Sequence, residues 1–209
     1  MPANYDKIAS VYDLLSRMIF GRNIEQAQVC MLKYVPTGSG ILIVGGGTGW
    51  ILEKLSEQSP HGLQIDYVEV SAKMIMLSKK RNYRVNSVNF INMPIEEFIS
   101  DKQYDVIITP FILDNFSADK IGPVFAKLDE RLKHNGLWLY ADFVYDKAKS
   151  PLWQKFLLKV MYFFFRITSG IETQELISMD IYFAGSYEIQ FDASHYFKFI
   201  RSAVYRKVH

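Results

Sequence analysis

Ile41-Leu42-Ile43-Val44-Gly45-Gly46-Gly47-Thr48-Gly49-Trp50 is the stretch on which the fold turns. Four consecutive aliphatic residues, with no polar alternation, read as a strand buried on both faces. Glycines at 45, 46, 47 and 49 then make a turn in which backbone can pass close to a ligand and positive φ costs little. An amphipathic segment, Trp50–Gln58, follows at once, so the turn brings helical N–H groups to whatever lies above the strand. A glycine turn that only reverses the chain is the plainer alternative, and the strand–turn–helix setting weighs against it.

The same rhythm continues outward. Strands are expected at Gln64–Val70, Ser87–Ile91, Tyr104–Thr109 and Leu137–Phe143. Between them fall a helix Ala72–Asn82 capped by Ser71, a short segment Ile95–Ile99, and a helix Asp119–Lys133 closing in His134-Asn135-Gly136. Apolar strands alternating with helices predict an α/β fold with a parallel sheet covered on both faces, its ligands at the carboxyl ends of the strands. Upstream, Ile8, Val11, Tyr12, Leu15 and Ile19 give residues 5–34 a helical period that Gly21 breaks. Downstream, Pro151 opens an aromatic helix to about Arg166, and Glu172–Ser178 reads as another helix. Ile181–Gln190 and His195–Arg206 read as two strands about a turn at Phe191–Ser194, an antiparallel hairpin closing a parallel sheet.

The site residues follow from this frame. A dinucleotide fingerprint needs a third glycine three positions after Gly47, where this chain has Trp50. The bulky indole argues against a pyrophosphate on the helix end and against a nicotinamide-dependent oxidoreductase. Glu69 ends the second strand, 20 positions past Gly49, where a carboxylate can accept from both hydroxyls of a ribose. A surface or capping carboxylate is its plainer alternative.

With these residues in view, the chain resembles the class I S-adenosylmethionine-dependent methyltransferases, in particular the subgroup of ubiquinone and menaquinone biosynthesis enzymes. Tyr5-Asp6-Lys7-Ile8-Ala9 through Tyr12-Asp13 is similar to that subgroup's N-terminal motif. Ile41–Gly49 resembles its glycine motif and Val68-Glu69-Val70-Ser71 its ribose motif. Tyr104-Asp105-Val106-Ile107 resembles the fourth strand, and Leu132-Lys133-His134-Asn135-Gly136 the turn before the fifth. The resemblance implies a Rossmann-like three-layer sandwich with a seven-stranded, mostly parallel sheet and a C-terminal antiparallel hairpin. It implies S-adenosylmethionine as cofactor, held along Gly45, Gly46, Gly47 and Gly49, with Glu69 on its ribose and Val70 against its adenine. Tyr12 would belong to an N-terminal helical lid, residues 1–36. Adenine recognition would fall to backbone groups of Met93–Glu96, Pro94 and Ile95 among them, and to apolar contact; the segment Thr109-Pro110-Phe111-Ile112-Leu113-Asp114-Asn115-Phe116 would face both the methyl group and the acceptor. Two positions depart from the family pattern: Ile43 stands where an acidic residue is usual, and Pro94 where an aspartate is usual. Each missing hydrogen bond would cost roughly 1–2 kcal/mol, about tenfold in affinity. A non-catalytic binding protein on the same fold is therefore the alternative to an enzyme.

Methyl transfer needs alignment, dryness and, where the acceptor carries a proton, a base. Asp114, just beyond the fourth strand, is the first candidate for orienting a small-molecule acceptor or taking its proton; Asp142, ending the fifth, is the second. Either could instead be a structural carboxylate. His61, His134, His195 and His209 show no metal-ligand spacing, and no metal is expected.

Bulk properties set the outer limits. The 209 residues suggest one domain, with residues 151–180 as a helical insertion near the substrate cleft. A net charge of +2, from 24 basic and 22 acidic residues, lacks the one-sided field of a nucleic-acid binder. One cysteine, Cys30, excludes an intramolecular disulfide and a cysteine-based zinc site. The first ten residues have no signal-peptide pattern, and Phe156–Ile167 is too short to span a bilayer, so a cytoplasmic location is expected. The aromatic segment Pro151–Ile167, with Lys155, Lys159, Tyr162 and Arg166 along one stripe, reads by default as packing over the cleft. A hydrophobic lid for an apolar acceptor, or contact with a membrane surface, are its other readings. Oligomeric state is left open by the sequence.

Overall fold

Strand β1, Gly40–Val44, sends Ile41 and Ile43 into one apolar core and Leu42 and Val44 into another, so the sheet it belongs to is covered on both faces. The computed structural model describes residues 6, 9, 12–58, 61–145, 150–169 and 176–208. Its elements run α1 (Tyr12–Phe20), α2 (Asn23–Leu32), β1, α3 (Trp50–Gln58), β2 (Gln64–Val68), α4 (Ala72–Ser78), β3 (Ser87–Ile91) and β4 (Tyr104–Pro110). They continue with α5 (Ala118–Arg131), β5 (Leu132–Phe143), α6 (Leu152–Ser169), α7 (Asp180–Phe183), β6 (Tyr187–His195) and β7 (Ile200–Lys207). The seven strands form one sheet in the order β3-β2-β1-β4-β5-β7-β6. Pairing is parallel from β3 to β5 and antiparallel on both sides of β7. This is the Rossmann-like sandwich expected from the sequence. The order reverses between β1 and β4, where a crevice opens at the strand carboxyl ends.

Several boundaries differ from the sequence reading. The N-terminal helical stretch is two helices, separated at Gly21 (φ +58°) and Arg22; residues 1–5, 7, 8, 10 and 11 lie outside the described residues. β2 stops at Val68, leaving Glu69 and Val70 in the loop, and α4 ends at Ser78 rather than Asn82. Ser71 does cap α4: its Oγ accepts from the Met74 N–H at 3.1 Å. α5 ends at Arg131, and His134-Asn135-Gly136 is carried inside β5 as an irregularity, with Asn135 at φ +61° and the β4 register shifting between Tyr104 and Val106.

The terminal hairpin is offset most. Residues 181–183, expected in a strand, are helical, and Phe183 stacks on Tyr205 at 3.8 Å and 4°. The expected turn Phe191–Ser194 lies within β6, and the reversal falls at Tyr196–Phe199. Of the expected helix Glu172–Ser178, residues 172–175 lie outside the described residues and Leu176–Ser178 is irregular.

Candidate active site

The glycine turn is shaped by what packs beneath it. The Gly45 N–H donates to the Val68 carbonyl at 2.9 Å, tying the turn to β2. Tyr67, fully buried, lies under the loop and donates its hydroxyl to the Gly47 carbonyl at 2.9 Å. A Cβ at Gly46 would stand 2.4 Å from that ring, so only glycine fits. Gly47 faces the other way: its φ is +61° and an added Cβ would meet nothing within 4 Å. Gly49 (φ +78°) serves helix packing, because a Cβ there would fall 2.4 Å from the Ser78 Cβ on α4.

Glu69 sits beside this turn, almost wholly buried. One carboxylate oxygen accepts the Gly47 N–H at 3.1 Å and the other the Ser71 N–H at 2.9 Å. Burial pushes its pKa up, and those N–H groups pull it partly back. The Asn92 side-chain amide donates to the Glu69 and Val70 carbonyls, both at 2.9 Å, fixing the loop that carries the carboxylate.

Helix α1 is fastened over the turn by a charged cluster. The Thr48 hydroxyl donates to Asp13 at 2.9–3.0 Å. Arg81 joins them, with its Nε on the Thr48 carbonyl at 3.0 Å and a terminal nitrogen on Asp13 at 3.1 Å. Asp6 accepts from the Ser71 hydroxyl at 2.5 Å and the Lys73 N–H at 3.1 Å. Asp13 and Asp6, the two aspartates of the N-terminal tyrosine-aspartate motif, thus contact the loops after β1 and β2 respectively.

Two chambers result. A cleft of about 240 Å³ is lined by Gly45, Gly46, Gly47, Glu69, Pro110, Phe111 and Tyr12, among others, with the ion-paired Arg17 and Glu25 at its edge. An apolar cavity of about 190 Å³ adjoins it, lined by Leu15, Ile19, Phe20, Leu157, Val160, Met161 and Phe164, with Asp114 in its wall. Tyr12, Ser16, Ile24, Phe111 and Asn115 line both. Phe111 is held at φ +56°, uncommon for a bulky residue, and its N–H donates to the Ala141 carbonyl at 2.7 Å. At that corner, directly after β4, Phe111 lines both chambers and its ring lies 5.1 Å from that of Phe143. Strain of this kind gathers at functional sites.

The two candidate carboxylates lie together. Asp142 accepts the Asp114 N–H at 3.1 Å and the Phe143 N–H at 2.9 Å, one on each oxygen. The Oδ1 of Asp114 is buried and accepts no hydrogen bond among the described residues. Burial raises the pKa of Asp114 to about 7, although its bond with Asp142 works the other way. Asp142 is raised well above the carboxylate range, first by burial and then by the Asp114 charge. Burial, followed by the charges of Asp114, Asp13, Glu69 and Asp142, also holds the Tyr12 phenol protonated.

Of the residues singled out in the sequence, the cleft gathers Tyr12, Gly45, Gly46, Gly47, Glu69 and Pro110. Gly49, Val70, Met93, Pro94 and Ile95 lie outside its lining; Met93 and Ile95 pack into the second core. Thr109 is buried, with its hydroxyl accepting from the Trp138 indole at 2.9 Å. Ile43 is likewise core. Asp13, Thr48 and Arg81 have no site role assigned from sequence, and Phe111 enters only within the segment 109–116. Among the described residues no cluster of three or more potential metal ligands occurs.

Comparison with known proteins meets this geometry at the same place. Residues 42–138, from β1 into β5, match the family model described as a methyltransferase domain. In sequence the chain is similar to malonyl-[acyl-carrier protein] O-methyltransferase of Bacillus cytotoxicus, 35% identical over 141 residues, which are 67% of this chain and 46% of that protein. It is also similar to malonyl-[acyl-carrier protein] O-methyltransferase 2 of Ilyobacter polytropus, 29% identical over 143 residues, 68% of this chain and 53% of that protein. The chain thus spans about half the length of the curated relatives it matches. In fold it is similar to the N-methyltransferase NodS of Bradyrhizobium japonicum, solved with S-adenosyl-L-homocysteine. The TM-score is 0.66 at 13% identity, over 91% of this chain and 88% of that one.

Proposed function

We propose that this protein is an S-adenosylmethionine-dependent methyltransferase acting on a small, apolar or aromatic acceptor. The observation that carries this reading is the junction of the two chambers. A cleft over a bare glycine backbone, edged by Glu69, opens across Tyr12, Phe111 and Asn115 onto an apolar cavity holding Asp114.

The residues present fit the cofactor. Gly47 leaves its side of the turn open, and Glu69, with two of about four lone-pair sites engaged, retains acceptor capacity for a ribose diol. When bound, S-adenosylmethionine supplies a methyl group on a sulfonium; the protein's share is alignment and the exclusion of water. Phe111 and Tyr12 would hold the reacting groups in register. Asp114 Oδ1, buried and without a hydrogen-bond partner among the described residues, is the atom that would receive a proton leaving the acceptor.

The cavity lining also bears on the acceptor. The matched relatives are named for a malonyl group on a carrier protein, an acidic acceptor. This cavity presents Asp114 and Asn115 and, among the described residues that line it, no Lys, Arg or His. An uncharged or protonated acceptor, such as a phenol, a quinol of the ubiquinone and menaquinone kind, or an amine, suits it better.

Calorimetric titration with S-adenosylmethionine and S-adenosylhomocysteine tests the first half. Saturable binding to both is expected, and no heat with either ligand would overturn the reading. Methyl transfer to a panel of quinols, phenols and amines, beside a malonyl-carrier protein, tests the second half. Transfer to the malonyl substrate alone would replace the proposed acceptor class.

A further inference from the structure

Helix α6 has three unlike faces. Gln154, Leu158, Met161 and Tyr162 are buried against the domain, and Leu157, Val160, Met161 and Phe164 line the apolar cavity. The outward face is apolar as well. Leu152, Phe156 and Phe163, at spacings of four and seven, are 83, 70 and 67% exposed. Lys155, Lys159 and Arg166 repeat the same spacing along the neighbouring exposed stripe, and α6 contains no acidic residue. The ridge continues beyond the helix. Phe197, at the tip of the β6–β7 hairpin and 79% exposed, lies 5.8 Å from the Trp153 ring, followed by exposed Lys198. Tyr196, Phe197 and Lys198 all have φ between +45° and +67°, a costly tip conformation that presents an aromatic ring outward.

Soluble monomers rarely leave so much aromatic and aliphatic surface contiguous, so the face calls for a partner. Its chemistry selects one. An apolar ridge bordered on one side by cations, on a helix not long and apolar enough to cross a bilayer, is the pattern of a helix lying in the membrane interface. We infer that α6 and the Phe197 tip dock this protein onto an anionic lipid surface, with Leu152, Phe156, Phe163 and Phe197 in the headgroup boundary and Lys155, Lys159 and Arg166 against the phosphates. The position of the cavity agrees. Ile19, Val160 and Phe164 line it and are also exposed, so its mouth opens beside the ridge. If the proposed function holds, a lipophilic acceptor would reach Asp114 without crossing water. The docking itself stands without that reading.

The test is co-sedimentation of the full chain with vesicles of phosphatidylcholine alone and of phosphatidylcholine with 30% (roughly) phosphatidylglycerol, the latter at low and high salt. Pelleting with the anionic vesicles, weakened by salt, is expected. Lys155→Gln with Lys159→Gln should reduce affinity roughly fivefold for each charge removed. Phe156→Ser with Phe163→Ser should abolish pelleting. Both side-chain pairs are exposed, so a thermal melt matching wild type shows that each variant is folded. Absence of pelleting with the anionic vesicles, or pelleting indifferent to the two phenylalanines, would overturn the inference. So would retention of the folded chain on an immobilised acidic carrier protein but not on vesicles, which would reassign the face to a protein partner.

Discussion

The Asp13 carboxylate receives the Thr48 hydroxyl at 2.9–3.0 Å, and Arg81 bridges the two from α4's end, so the first helix and the glycine turn are one unit. The turn is thus braced from α1 as well as from β2. Asp13→Ala should weaken S-adenosylmethionine binding by about tenfold, the scale of a lost charge-assisted hydrogen bond. Titration calorimetry measures it, and an unchanged affinity would show that the helix covers the turn without organising it.

Glu69 should matter more. It touches the Gly47 and Ser71 N–H groups and edges the cleft, so Glu69→Ala should weaken cofactor binding by about tenfold or more. Equal affinity in wild type and variant would remove Glu69 from the binding set. Glu69→Gln sharpens the test, since its amide would present an N–H to one of the two donors and should bind nearly as poorly as the alanine variant.

The glycines separate support from contact. Gly46→Ala drives a methyl onto the Tyr67 ring and Gly49→Ala drives one onto Ser78, so both should lower Tm by several degrees. Gly47→Ala has open space, so its Tm should fall less; the methyl would enter the cleft and cofactor binding should suffer more than stability. Thermal melts beside titrations distinguish these outcomes. A Gly47 variant that binds normally would count against the cleft as the cofactor site.

The paired carboxylates predict a pH dependence with a definite sign. Asp114 and Asp142 both have folded-state pKa values above the unfolded aspartate value of about 3.9. As pH rises past that value the folded chain retains protons that the unfolded chain has released, so these groups lower stability with increasing pH. Their destabilising effect is absent well below pH 4 and complete above the folded-state values. Asp114→Asn should therefore raise Tm at pH 8, by about 2–4 °C for each kcal/mol recovered, and leave it little changed near pH 4. The same variant should keep cofactor affinity and lose about a hundredfold or more in methyl transfer to proton-bearing acceptors. Full transfer activity would take the base role away from Asp114.

Much of the fold was legible because it depends on local pattern. Ile41–Val44 is apolar without alternation because both faces of β1 are covered, and Gly45–Gly49 punctuates it unmistakably. Ser71 announced a cap and forms one. The hairpin was misplaced because its signals conflict: Ile181, Tyr182 and Phe183 look strand-like, yet Phe183 is wanted in a helical turn to stack on Tyr205. The true reversal uses Tyr196, Phe197 and Lys198, with neither glycine nor asparagine to mark it. In the site, residues next to the glycine turn or at strand ends were readable from spacing. Asp13 and Arg81 were not, because they reach Thr48 from 35 and 33 positions away and only the assembled fold brings them together. Thr109 shows the converse, since its place at the end of β4 said nothing of the buried Trp138 indole that claims its hydroxyl.

Phe111 stands where β4 gives way to the loop, with its backbone in the left-handed region, and lines both chambers. Because one side chain belongs to both linings, any change in the pose of its ring alters the two cavities together.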